Sequence, residues 1–260
     1  MSSSNLPVSH AQWGDDLLVW EHFNRSPIGI FLEAGANDPI KLSQTYLLEQ
    51  QGWTGILIDP VPSCCEALRR VRTRSHVFQN ALGGPQHRGK LRLRVPSGCS
   101  ELTHAVANGG EVGDAEMQAA SSIAERRQEA SDGDEIIEAG FITIDEALKT
   151  AGFDRLDYLS LDLEGFELPA LQGLDFSRIR PRVVIIEDRL ENLSRHRFML
   201  NKGYKLVRRN GSNNWYVPSN EPFSVSLQTR LKLFRKCYLS IPFRYLRDNL
   251  RKLRKSPRVS

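Results

Sequence analysis

Two short apolar runs constrain this chain most. Residues 28–38, IGIFLEAGAND, and residues 53–60, WTGILIDP, each end in an acid, with a helix-length stretch between them. Together they read as a β-α-β unit with a glycine turn, Glu33-Ala34-Gly35, after its first strand and a carboxylate, Asp59, after its second. Such a unit suits an adenosine-containing ligand. The glycine lets backbone approach the ligand, and the second acid can accept hydrogen bonds from ribose hydroxyls.

The rest of the chain repeats the alternation. Strands are expected at about 28–33, 55–58, 76–79, 90–95, 141–144, 156–161 and 182–186. Helices are expected over about 16–23, 41–51, 64–74 (with Ser63 as its N-cap), 145–150, 164–171 and 190–202. Asn210-Gly211 between 204–207 and 214–217 signals an antiparallel hairpin. This predicts an α/β protein: a doubly wound, mostly parallel sheet with helices on both faces, closing on that hairpin. Trp53 and Trp215 are expected as core residues. Residues 96–135 hold five glycines and little periodic hydrophobicity, and read as a substrate loop or lid containing His104, an exposed loop histidine rather than a base.

Ligands of such sheets bind beyond the carboxyl ends of the strands, where Glu33, Asp59, Asp162 and Glu187 all fall. A dinucleotide would favour G-x-G-x-x-G after the first strand. Here Gly35 stands alone and Asp38 lies where a phosphate would be repelled; a P-loop lysine is absent as well. A cationic, phosphate-free adenosine ligand, S-adenosylmethionine, suits the acidic strand ends better.

Residues 33–38 (EAGAND), 52–55 (GWTG), Asp59-Pro60, 157–165 (DYLSLDLEG) and 167–173 (ELPALQG) together resemble the FkbM family of S-adenosylmethionine-dependent methyltransferases, over about residues 28–217. The resemblance implies a class I, Rossmann-like, seven-strand methyltransferase domain over 27–220, preceded by a lead-in at 1–26. It also implies O-methylation of a hydroxyl on a sugar, glycan or natural-product acceptor. Carried over by residue, the cofactor would be held by Glu33, Ala34, Gly35, Ala36, Asn37, Asp38, Asp59 (ribose), Asn80 and Ala81 (adenine side) and Asp162. Asp162 would lie nearest the transferring methyl as the catalytic residue. Asp38-Pro39 departs from the frequent Asp-Gly and stiffens that turn. N-methylation uses the same cofactor site, and a non-catalytic scaffold retaining the fold is the non-enzyme alternative.

Two mechanisms compete for a hydroxyl nucleophile: a general base, or a divalent metal that lowers the hydroxyl pKa. Asp162, Glu187 and Asp188 offer three hard oxygen ligands suited to Mg²⁺. Against this, one of Glu187 and Asp188 is expected to cap a helix or pair with Arg182 or Arg189. Glu164 is placed in the pocket or as a helix cap, and Glu167 in solvent or paired with an arginine.

Charge is uneven. Residues 221–260 carry eleven Lys/Arg against Glu221 and Asp248, a net +9, which leaves −5 for the other 220 residues of a chain whose total is +4. Within this tail Leu227, Leu231, Phe234, Tyr238 and Ile241 fall on one helical face; Phe243, Leu246, Leu250 and Leu253 continue after Pro242. Such a basic amphipathic segment is expected to pack on its own body or a second subunit first. An anionic membrane surface or an acidic partner comes next, and nucleic acid last. No 18-residue apolar run and no secretory signal is seen, and the four cysteines form no CxxC pair. A cytoplasmic, reducing setting, peripheral to membrane at most, is the expectation.

Overall fold

The computed structural model describes residues 7–95, 135–188 and 193–239. The lid expected at 96–135, with His104, lies outside them apart from its last residue, and so does the tail beyond 239.

Seven strands form the main sheet. They are β1 (Ile30–Ala34), β2 (Thr54–Ile58), β3 (Ser75–Phe78), β7 (Tyr158–Leu161), β8 (Val183–Glu187), β9 (Tyr204–Asn210) and β10 (Asn213–Pro218), in the order β3-β2-β1-β7-β8-β10-β9. All neighbours are parallel except β10, which runs against both β8 and β9. The mostly parallel sheet with its terminal hairpin is thus as expected, and Asn210-Gly211 makes the turn, with Gly211 at φ 53°. A second, three-stranded sheet was not legible in the sequence. It has β4 (Ala81–Leu82) and β5 (Lys90–Val95) flanking β6 (Glu135–Ile142). Strand β6 pairs antiparallel with β5 from Lys90↔Gly140 to Val95↔Glu135.

Side chains along the central strands alternate between two cores. Leu32, Ile56, Ile58, Leu159, Val184 and Ile186 face one. Phe31, Leu57, Tyr158, Val183 and Ile185 face the other. Helices cover both. Ile144, Ala147 and Leu148 of α4 (Ile144–Ala151), Ala170 and Leu171 of α5 (Glu167–Gln172) and Met199 of α6 (Ser194–Asn201) pack on the first core. Val19 of α1 (Asp15–His22), Leu47 and Leu48 of α2 (Tyr46–Gln50) and Leu68 of α3 (Pro62–Val71) pack on the second. Trp53 and Trp215 are both core residues of that second face.

Several boundaries moved for local reasons. Ser63 does not cap α3; Val61 does, because Pro62 occupies the first helical position, where a missing N–H costs nothing. Ile144 belongs to α4 rather than to a strand, since Thr143 and Glu146 form a reciprocal capping box ahead of it. The described part of the lead-in is anchored. Asp15, fully buried, accepts hydrogen bonds from Asn210, Asn213 and Trp215 side chains at 2.7–2.9 Å, which ties α1 to the hairpin.

Candidate functional site

Strand order reverses between β1 and β7, with β2 and β3 on one side and β8 on the other, so the crevice of an open α/β sheet lies at their carboxyl ends. Gly35 and Asp162 face each other there. Gly35 has φ 76°, and a Cβ built on it would lie 2.0 Å from the Asp162 carbonyl oxygen. The Asp162 N–H in turn donates to the Ala34 carbonyl at 3.1 Å. Only glycine permits this approach.

The turn after β1 is held from β2. Gly35 and Ala36 donate their N–H groups to the Ile58 carbonyl. Asn37 donates its own to Asp59 Oδ2 at 2.9 Å, and Val61 donates to Asp59 Oδ1 at 2.9 Å. Asp59 is 4% exposed and pins the two turns together. Burial raises its pKa, against the two backbone donors. Asp38 Oδ1 accepts from the N–H groups of Ile40 and Lys41, so the stiff Asp-Pro turn is closed by its own side chain. Cys64 and Cys65 sit beside Asp59; burial first, then that carboxylate, pushes their thiols up to about 11 and about 12. They are packing residues, not thiolates.

Glu33 corrects one expectation. Its carboxylate does not face the crevice. It accepts from Ser43 Oγ at 2.9 Å, from the Gln44 N–H at 2.7 Å and from Thr45 Oγ1. Behind them lies Arg72, 1% exposed, which donates to Glu49 at 2.8 Å and to Thr45 Oγ1 at 2.9 Å. Glu33 therefore builds the floor under α2, and only the backbone beyond it reaches the crevice. Asn80 donates from Nδ2 to the Gly140 carbonyl at 3.0 Å, and Ala81 is buried in β4, so this turn is braced by the second sheet.

The acidic centre is Asp162, Glu164 and Glu187. One carboxylate oxygen from each lies within 4.8 Å of the others. The metal set expected from sequence, Asp162 with Glu187 and Asp188, is corrected here. Asp188 is buried away from the cluster, accepting from Arg195 Nη2 at 2.8 Å and from Asn214 Nδ2 at 3.4 Å. Its place is taken by Glu164, which has φ 51° at the turn ahead of α5. Glu167 is neither solvated nor in the cluster. It accepts from the N–H groups of Leu163 and Gly165 at 3.0 Å and pairs with Arg195 at 3.3 Å. One buried arginine thus neutralises Asp188 and Glu167 together, while the acids in front of them face outward.

Asp162 keeps accessible surface, yet its carboxyl is desolvated, as in a recess open on one side. That desolvation, then Glu187, which it also hydrogen-bonds, and then Glu164 and Glu167 push its pKa well above the usual carboxylate range.

Residues 33–206 match the methyltransferase FkbM domain, two thirds of the chain, and the chain belongs to that family. It carries a methyltransferase domain, on the sheet and the strand ends just described. No curated protein matches it.

Proposed function

We propose that the chain methylates a hydroxyl of a sugar, glycan or natural-product acceptor with S-adenosylmethionine as donor. The observation that supports this reading is the acidic recess at the strand switch point. Three clustered carboxylates, with the Asp162 pKa raised, fit a ligand bearing sulfonium and ammonium charges, and fit phosphates poorly. When bound, that cofactor supplies an activated methyl group. The backbone of residues 34–38 would flank its methionine portion. Asp59, whose oxygens each keep a second lone pair, would take the ribose, and Asn80-Ala81 would border the adenine.

Desolvation, then Glu187 and Glu164 beside it, favour the protonated form of the Asp162 carboxyl. Positive charge bound beside Asp162 would lower its pKa and favour loss of that proton. Asp162 is then a carboxylate able to accept the acceptor hydroxyl proton at Oδ, its basicity kept high by desolvation and by Glu187. Arg195 holds Glu167 and Asp188 in the layer behind.

The three oxygens within 4.8 Å also support a second reading, in which Asp162, Glu164 and Glu187 hold a divalent cation such as Mg²⁺. Incubation with S-adenosylmethionine and a panel of sugars, glycans and amines, read by mass spectrometry with and without chelator, tests both. Methyl on oxygen, insensitive to chelator, supports the base mechanism; loss with chelator supports the metal. Methyl on nitrogen alone, or none on any acceptor, contradicts the proposal.

A further inference from the structure

The C-terminal segment docks through the face opposite to its apolar stripe. Helix α7 (Leu227–Phe234) starts at Ser226, whose Oγ accepts from the Thr229 N–H, and runs on into one wider π-helical turn, Arg235–Leu239. Leu233 packs inward at 9% exposure, and the Tyr238 hydroxyl lies 2.7 Å from His196 Nε2. Most of the expected stripe is left outside: Leu227 is 73%, Leu231 61% and Phe234 53% exposed, with the Tyr238 ring 5.3 Å from Phe234 at a tilt of 33°. The helix thus packs on the chain's own body, as expected, but through Leu233 and the Tyr238 hydroxyl rather than through Leu227, Leu231 and Phe234.

Charge says what the stripe fits. At 3.6 residues per turn, exposed Arg230 and Arg235 fall on either side of it. No Asp or Glu occurs from residue 222 to residue 247, and seven more Lys/Arg follow residue 239. Three apolar side chains bury far less than the ~1,200 Å² of a stable protein interface. On a bilayer the same side chains need no matching partner surface, and each nearby basic residue adds attraction to an anionic leaflet.

We propose that α7 docks the protein on an anionic lipid bilayer. Leu227, Leu231 and Phe234 enter the boundary between headgroups and acyl chains, and Arg230 and Arg235 meet lipid phosphates. This surface is independent of the methyl-transfer reading. It would hold the crevice at a fixed side of a membrane, whatever the acceptor.

The test is co-sedimentation of the full-length protein with phosphatidylcholine vesicles, with and without phosphatidylserine, in low and high salt. The expected result is binding only to vesicles with phosphatidylserine, weakened by salt and at least tenfold weaker in a Leu231→Glu/Phe234→Glu variant. Both positions are exposed, so an unchanged melting curve and unchanged S-adenosylmethionine binding in the variant certify its fold. No binding to phosphatidylserine vesicles would overturn the proposal, and so would binding that the double substitution leaves intact. A wild-type dimer that the substitution dissociates, with no lipid binding, would make the stripe a contact between copies and overturn it as well.

Discussion

Gly35 and Asp162 are locked backbone to backbone: any Cβ on Gly35 would lie 2.0 Å from the Asp162 carbonyl oxygen. The turn that would flank a cofactor and the acid that would face its charge are thus one mechanical unit. Replacing Gly35 by alanine adds the strain of a non-glycine residue at φ 76°, about 1–2 kcal/mol, to a contact that must push β1 and β7 apart. Gly35→Ala should lower the melting temperature and abolish cofactor binding in calorimetry. An alanine variant that binds normally would mean that the turn is not part of the site.

Asp162 and Asp188 should separate chemistry from stability. Asp162→Asn keeps the shape of the recess and removes the base, so turnover should fall about 10²- to 10⁴-fold with little change in melting temperature. Asp188→Ala leaves Arg195 with half of its compensation in a buried site. Breaking such a pair costs about 3–5 kcal/mol, and a denaturant titration should show it. Equal losses of stability in the two variants would contradict the division.

Arg72→Met should be among the most destabilising single changes. It would leave Glu33 and Glu49 buried without their shared cation, at a cost again of about 3–5 kcal/mol. Chemical denaturation reads this, and a shift under about 1 kcal/mol would show that the network is dispensable.

Acid should loosen the C-terminal segment. His196 accepts or donates at both ring nitrogens, to Tyr216 and Tyr238, and burial lowers its pKa from the ordinary 6.5. The folded state therefore binds fewer protons than the unfolded state between that lowered value and 6.5, and stability falls as pH drops through this window. Thermal melts across it should show the loss, and His196→Gln should reduce it.

The sheet, its order of α and β, the hairpin and the acid at the end of β7 were legible because they rest on local signals: apolar runs, Asn210-Gly211 and terminal carboxylates. What was illegible depends on long-range pairing. Nothing around Arg72 announces that it lies beneath Glu33, 39 positions earlier. Glu187 and Asp188 are neighbours in sequence, but adjacent residues of an extended chain point to opposite faces. Glu187 therefore joins the cluster and Asp188 turns to Arg195. Glu164 could take the vacant position only through a left-handed turn, and the sequence signals that weakly. The α7 stripe had the right period but no sign of which face would be covered.

The central claim is that the recess at Asp162 holds a cationic adenosine cofactor and gives up a proton to do so. Isothermal titration calorimetry with S-adenosylmethionine, repeated in buffers of different ionisation enthalpy, tests it directly. The folded pKa of Asp162 is raised, and a bound cation lowers it. Binding should release protons and tighten as pH rises, and Asp162→Asn should remove the proton release. Binding with no proton release in any buffer would contradict the role given to Asp162. No binding by the folded protein would contradict the cofactor itself.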